Sequence, residues 1–413
     1  MMKVHHSHSY PLLSALLFFF FVTWSSSGSL LSIWLHQEVG LKAGDSGIIF
    51  AVLSVSALFA QICYGFIQDK LGLRKHLLWY LTAMLILSGP AYLLFGHLLK
   101  INILLGSVFG GLFIGLTFNG GIGVLESYTE RVARQSQFEF GKARMWGSLG
   151  WAVAAFFAGL LFNIDPKLNF AVASCSGLVF LVLLARLRVS SAPHAMQEAV
   201  AGGKVTLEDA LRLLTLPRFW ALVFFVVGTC IYSVYDQQFP VYFSSQFATP
   251  EEGNAMYGYL NSFQVFLEAA GMFCAPWLVN RVGAKKGLIF AGMVMAMRMI
   301  ASGLVEGPLL ISMTKLLHAV ELPVLLVAIF KYNSLNFDKR LSSTLYLVGF
   351  ACTSSVIASV LSPLAGYCYE KYGFAESYLF MGILVFCITF ISMFLLRSGN
   401  ASADPQVPQL STI

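Results

Sequence analysis

The chain has 413 residues, of which 57% are hydrophobic and only 11% charged. A water-soluble globular domain carries roughly twice that charged fraction, so composition excludes one and points to a membrane protein. The formal net charge of +6 is accounted for by the polar connections between apolar runs and needs no nucleic acid or other acidic partner.

Apolar runs of roughly 20 residues, long enough to cross a bilayer as helices, recur twelve times. They fall near 10–35, 45–68, 76–99, 102–130, 143–163, 168–187, 219–243, 254–279, 287–305, 308–332, 341–368 and 375–396. The start of the first resembles a secretion signal, with Phe18–Phe21 as its core and Ser25–Ser29 as a cleavage region. The run continues through Leu30, Leu31, Ile33 and Trp34, which is too long for a signal core, so it reads as a retained span. The longest polar interruption, Arg188 to Pro217, contains Ala, Gly, Ser and Pro and reads as a linker. Thr206–Asp209 within it is placed to cap a short surface helix. The predicted organisation is an N-terminal six-helix bundle at 1–188, a cytoplasmic linker at 189–217, a C-terminal six-helix bundle at 218–400 and a cytoplasmic tail at 401–413. The fold class is all-α, with twelve transmembrane helices in two pseudo-symmetric bundles.

The even-numbered connections, 70–75, 131–142, 186–218, 281–286 and 331–340, hold 17 of the 26 Lys and Arg residues. The odd-numbered connections hold four: Lys42, Lys100, Lys167 and Lys371. Basic loops stay in the cytoplasm, so both termini are expected inside. The seven cysteines, Cys63, Cys175, Cys230, Cys274, Cys352, Cys368 and Cys387, fall in or beside apolar runs. They show neither metal-ligand spacing nor a disulfide framework and read as small packing residues.

The halves repeat. Gly65, Asp69, Lys70, Gly72, Arg74 and Lys75 lie between spans two and three; 211 residues on, Asn280, Arg281, Gly283, Lys285 and Lys286 lie between spans eight and nine. Gly366, Glu370, Lys371 and Gly373 echo the pattern after span eleven. Glycine supplies the tight turn. One such match is weak, but two at equivalent places in two six-span halves indicate duplication. The pattern resembles the major facilitator superfamily. That resemblance implies two bundles that bind substrate between them near mid-membrane and alternate access by rocking.

Eight ionisable residues remain inside the spans: Glu126, Arg144, Asp236, Glu268, Arg298, Lys315, His318 and Glu321. Charges at membrane depth are costly and by default line a polar path. With His neutral they sum to −1. A surplus carboxylate in low dielectric tends to hold a proton, so the set suits a proton-coupled machine. Lys315, His318 and Glu321 follow one another at spacings of three. Each turns the helix face by about 60° and the three form a slanted stripe. Pro323 follows, where it loosens the helix. Gln264 and Glu268 share a face of span eight. A single pair such as Asp236 with Lys315 serves equally well as a structural clasp. In the N-terminal half, Glu126 and Arg144 suit bidentate hydrogen bonding to sugar hydroxyls. Trp151 lies about two turns beyond Arg144 on the same face, where it either stacks on a pyranose or sits in the lipid-facing aromatic belt.

Four segments are similar to a narrower group. They are Phe138–Trp151, Tyr232–Phe239, Lys315–Pro323 and Arg340–Tyr346. They resemble the oligosaccharide/proton symporters typified by lactose permease, and the likeness covers nearly the whole chain. The resemblance implies that Glu126 and Arg144 bind the sugar and that Trp151 stacks on its galactosyl ring. It implies that His318 and Glu268 couple sugar to proton and that Glu321 is protonated. Arg298 would assist deprotonation, with Tyr232, Asp236 and Lys315 in the same network. Two departures occur: Ser233 and Ser354 stand where lactose permease has an acid and a lysine. Both are replaced together, as fits a pair whose lone survivor is a buried charge. Glu126 and Trp151 resemble the galactoside carriers, whereas Gln264 and Glu268 follow the sucrose type; a melibiose-type member fits the mixture.

The function expected is proton-coupled symport of a galactoside disaccharide, melibiose or lactose. A sucrose/proton symporter and a passive sugar facilitator are the alternatives. The proton is the coupling ion, no cofactor or metal is expected, and the chain is expected to be a functional monomer in a bacterial inner membrane. No nucleophile–base pair or metal cluster speaks for a membrane enzyme.

Overall fold

A computed structural model describes residues 9–188, 215–337, 350 and 352–398. The linker between 189 and 214, the segment 338–349 with Arg340–Tyr346, and the tail 401–413 lie outside the described residues. Ten helices among the described residues are long and apolar enough to cross a membrane. The pair His76–Ile86 and Ser88–Ile101, bent by 58°, makes up to eleven. Pro90 has no N–H to donate to the carbonyl of Ile86, which is where the first segment ends. Thr353–Tyr372 occupies the described part of the eleventh predicted span.

Side chains such as Phe59, Phe66, Phe273 and Phe380 are exposed on the outer faces of these helices, as a hydrocarbon surround permits. Of the cysteines, only Cys230 is fully buried, while Cys175, Cys274 and Cys387 are exposed. The expectation of packing residues therefore holds for one and gives way to outward-facing thiols for three. In the turn after span two, Lys75 reaches across to the end of span six. Its ammonium donates to the carbonyls of Leu184, at 3.2 Å, and Leu187. These are orphan acceptors of a helix C-terminus, and burial lowers the lysine pKa.

The two halves meet through spans two and eleven and through spans five and eight. Both crossings are glycine contacts at the end of the molecule that carries the odd-numbered connections. A Cβ on Gly47 would collide with the carbonyl oxygen of Ser362, and one on Gly159 with that of Asn254. Backbones approach this closely only where a side chain is absent. Hydrogen bonds join the halves at the same end. Gln37 and Asn254 exchange amide bonds of 3.1 and 2.9 Å. Asn163 donates to the carbonyl of Glu251 at 2.6 Å, and Glu370 accepts from the backbone N–H of Gly44 at 2.7 Å. This end is closed.

The closure gives a direct test. A Cβ on Gly366 would collide with the carbonyl oxygen of Ala43, so Gly366→Leu forces spans two and eleven apart. In a cysteine-free background with Ser46→Cys, at a position 3% exposed, alkylation is expected to accelerate about tenfold or more as the equilibrium shifts toward opening. An unchanged rate would show that the contact does not hold the closed state.

Candidate transport site

The fourth and fifth spans build the N-terminal wall. The fourth runs as Ile103–Ile114, a π-helical turn at Gly115–Asn119, and Gly120–Ser136. The fifth is Phe140–Ile164. Arg144 pairs with Glu126 through its Nε and Oε1 atoms, both side chains about one-third exposed at 33% and 31%. The guanidinium carbon sits 4.4 Å over the ring of Phe21, a cation–π contact that orients the fork. Trp151 is partly buried, with its ring centroid 6.4 Å from Phe21 and 5.5 Å from Trp24. It belongs to an inward aromatic cluster rather than to a lipid-facing belt. Sequence reasoning missed Phe21 and Trp24, which read there as an undifferentiated apolar run. An aromatic face beside a half-solvated carboxylate–guanidinium pair suits a ligand with both C–H and O–H groups.

Spans seven, nine and ten build a second cluster in the other half. Arg298 is fully buried and holds both oxygens of Asp236, at 3.0 and 3.2 Å. Its Nη2 lies 2.7 Å from Oε1 of Glu321, which is also fully buried. Lys315 donates to Asp236 at 2.8 Å. His318 Nδ1 is 2.8 Å from Glu321 Oε1 and 3.8 Å from Asp236 Oδ2. The ring of Tyr232 lies 5.7 Å from that of His318. Arg298 also covers the ring of Tyr235 at 4.6 Å. Glu321 Oε2 is buried with no hydrogen-bond partner among the described residues. The Arg298–Asp236 fork leaves no trace in the sequence, because its members are 62 residues apart and only folding brings them together.

Two details differ from the expectations. Span ten breaks at Leu317, between Pro308–Leu316 and His318–Asn336, and runs without interruption through Pro323. Pro323 instead leaves the carbonyl of Ala319 without its helical donor, and Gly271 of span eight makes room for it, since a Cβ there would stand 2.5 Å from that oxygen. Glu268 accepts a hydrogen bond from Gln264 at 2.9 Å, as their shared face of span eight leads one to expect. Charge pairing also relocates the surplus acid. Asp236 and Glu321 balance Arg298 and Lys315, and Glu126 balances Arg144, so Glu268 is the carboxylate left over. It is partly exposed, where water can carry its charge, while the buried acid of the set is Glu321.

Among the motif residues, Gly72 and Gly283 adopt φ of +59° and +92° after spans two and eight, and Gly373 repeats the +92° after span eleven. These left-handed turns are what glycine supplies. Gly65 is instead inside the helix Ala43–Leu71, with open space around it. Lys70 and Arg74 are exposed. Arg281 lies 5.6 Å over the ring of Trp277, and the side chain of Asp69 is outside the described residues.

Ser233 donates to the carbonyl of Cys230 at 2.8 Å, and the buried thiol of Cys230 meets Ser354. The two serines thus flank one neutral polar contact between spans seven and eleven. Ser233→Asp alone is expected to lower transport about tenfold, and adding Ser354→Lys to restore most of it, because a lone charge there has no partner. Uptake by the single and double variants measures this; equal loss in both would separate the two positions.

Two helical halves closed against each other at one end, each with a charged cluster inside it, define a membrane transporter of the major facilitator fold. The description "LacY proton/sugar symporter" matches residues 2–406, and the chain belongs to that family. Raffinose permease of Escherichia coli is 39% identical over 410 residues, covering 98% of this chain and 96% of its own. Sucrose permease of Escherichia coli is 39% identical over 407 residues, covering 98% and 97%. Melibiose permease of Enterobacter cloacae is 41% identical over 391 residues, covering 94% and 92%. Among solved structures, the nucleoside transporter NupG superposes with a TM-score of 0.75 at 13% identity, over 94% of this chain and 99% of that one; at that identity the likeness speaks for the fold.

Proposed function

We propose that the protein carries a galactoside disaccharide such as melibiose or lactose into a bacterial cell together with a proton, by alternating access. The observation that carries this reading is the division of labour inside the bundles. A half-solvated Glu126–Arg144 pair stands beside Trp151 in one half, and a buried acid, Glu321, is clasped by Arg298 and His318 in the other.

Glu126 and Arg144 receive the sugar hydroxyls, and Trp151 takes the apolar face of the galactosyl ring. Glu321 is the proton site. When deprotonated it pairs with Arg298 at 2.7 Å. Protonation removes that attraction and leaves Arg298 to its fork on Asp236. His318, in contact with Glu321 and close to Asp236, links the proton site to the cavity. Lys315 steadies Asp236. Glu268, partly exposed and hydrogen-bonded to the buried Gln264, contributes to substrate contacts. With the basic loops inside, both termini face the cytoplasm, and the closed end faces outward, so access to the site is from the cytoplasm. The unit that works is the monomer, in the inner membrane, with no cofactor beyond the coupled proton.

Relatives named for raffinose, sucrose and melibiose leave room for a second reading, sucrose. The Gln264–Glu268 hydrogen bond favours it, since that pair follows the sucrose type. A competition panel of melibiose, lactose, sucrose and raffinose on purified protein separates the two. Melibiose is expected to displace a bound galactoside at a concentration about tenfold below that of sucrose, because a site built around particular hydroxyls rejects analogues lacking them. The opposite order transfers the assignment to sucrose.

A further inference from the structure

The π-helical turn Gly115–Asn119 in span four interrupts an otherwise regular helix. Such turns are rare and are frequent at functional sites. This one holds Phe118, which is fully buried. The Phe118 ring stacks on Trp24 of span one, with centroids 5.9 Å apart and planes 10° from parallel. Trp24 in turn meets Trp151 of span five at 5.5 Å and 81°. Phe21, one helical turn before Trp24, packs on both indoles at 5.7 and 6.4 Å and carries the guanidinium of Arg144. Ser25 donates to the backbone carbonyl of Trp151 at 3.0 Å, fixing the main chain from which that indole projects.

We propose that Trp24 is a positioning residue for sugar recognition. Seated by Phe118 on the π-helical turn, it sets the plane of the Trp151 ring and so the face offered to the substrate. The proposal rests on the reading of Trp151 as the stacking residue. A ring pinned edge-to-face on one neighbour and held by a second has its side-chain rotation restricted. A stacked pyranose needs that plane fixed relative to the Glu126–Arg144 pair. The π-helical turn therefore serves two groups on one span: it presents Phe118, and it sets the rotation of the segment that carries Glu126.

The test uses the purified full-length protein and titration calorimetry with melibiose and with sucrose. Trp24→Phe keeps an aromatic edge and is expected to bind the preferred sugar within about threefold of the parent, whereas Trp24→Leu, which fills space without a ring, is expected to weaken binding about tenfold. Phe118→Leu is expected to fall between them. In transport, Trp24→Leu should raise KM while holding the maximal rate and the proton-to-sugar ratio, because the proton cluster is in the other half. A residue that only fills the core would make Leu and Phe equivalent, and that result overturns the proposal, as would a change in maximal rate without a change in affinity. A parent protein that bound neither sugar would overturn the sugar reading itself, which distinguishes the two failures.

Discussion

Replacing Glu321 with glutamine is expected to abolish uphill accumulation while leaving sugar exchange intact. Glutamine has nearly the shape of the protonated acid but cannot release a proton. It also cannot ion-pair with Arg298, which sits 2.7 Å away in the parent. Arg298 keeps its two bonds to Asp236, so the fully buried guanidinium retains a counter-charge and the fold survives, unlike the case in which a buried charge loses its only partner. On the proposed assignment sugar still reaches its site, because Glu126, Arg144 and Trp151 are in the other half. Coupling is a free energy shared between the two sites. With the proton site fixed, the inside-to-outside sugar ratio should collapse to about one, whereas exchange of labelled for unlabelled sugar continues. Counterflow and accumulation assays on the same vesicles read both quantities. Loss of both would place Glu321 in sugar binding instead.

The second large effect is expected from Arg144→Lys. Charge is conserved, yet a point-like ammonium cannot reproduce the fork that, on the proposed reading, grips Glu126 and a sugar hydroxyl together. Loss of one charge-assisted bond costs roughly 1.5–3 kcal/mol, so affinity should fall by roughly ten- to a hundredfold. The cation–π contact with Phe21, at 4.4 Å, is weakened as well. The variant should fold, since both partners are about one-third exposed and water can take over the remaining donors. Titration of the variant with sugar measures the loss; affinity within a few-fold of the parent would show that Arg144 serves the scaffold.

Much of this site is legible in the sequence because charges inside apolar runs have few structural excuses. Asp236, Arg298, Lys315, His318 and Glu321 stand out by residue type alone, and the structure draws them into one cluster. Their pairing is legible in part: Asp236 with Lys315 is read as a clasp, and the structure bonds them at 2.8 Å. The resemblance puts Arg298 beside Glu321, but its fork on Asp236 depends on how spans seven and nine pack. The sum of −1 over the span charges identifies a surplus acid without locating it: pairing leaves Glu268, not Glu321, in that role. Pro323 points to a weak place in span ten, yet the helix parts at Leu317, because a proline weakens a helix without dictating where it breaks. The Gln37–Asn254 exchange and the glycine crossings are silent in the sequence, since uncharged amides and glycines in apolar runs carry no periodic signal. Trp24 is hidden for the same reason, in a run where nearly every neighbour is apolar.

Coupling of sugar to proton is the central claim. Proteoliposomes or de-energised cells in an unbuffered medium, given melibiose while a pH electrode follows the outside, provide the measurement. Sugar-dependent alkalinisation of the medium, absent in Glu321→Gln, is the predicted result. Sugar entry with no accompanying proton movement would contradict it.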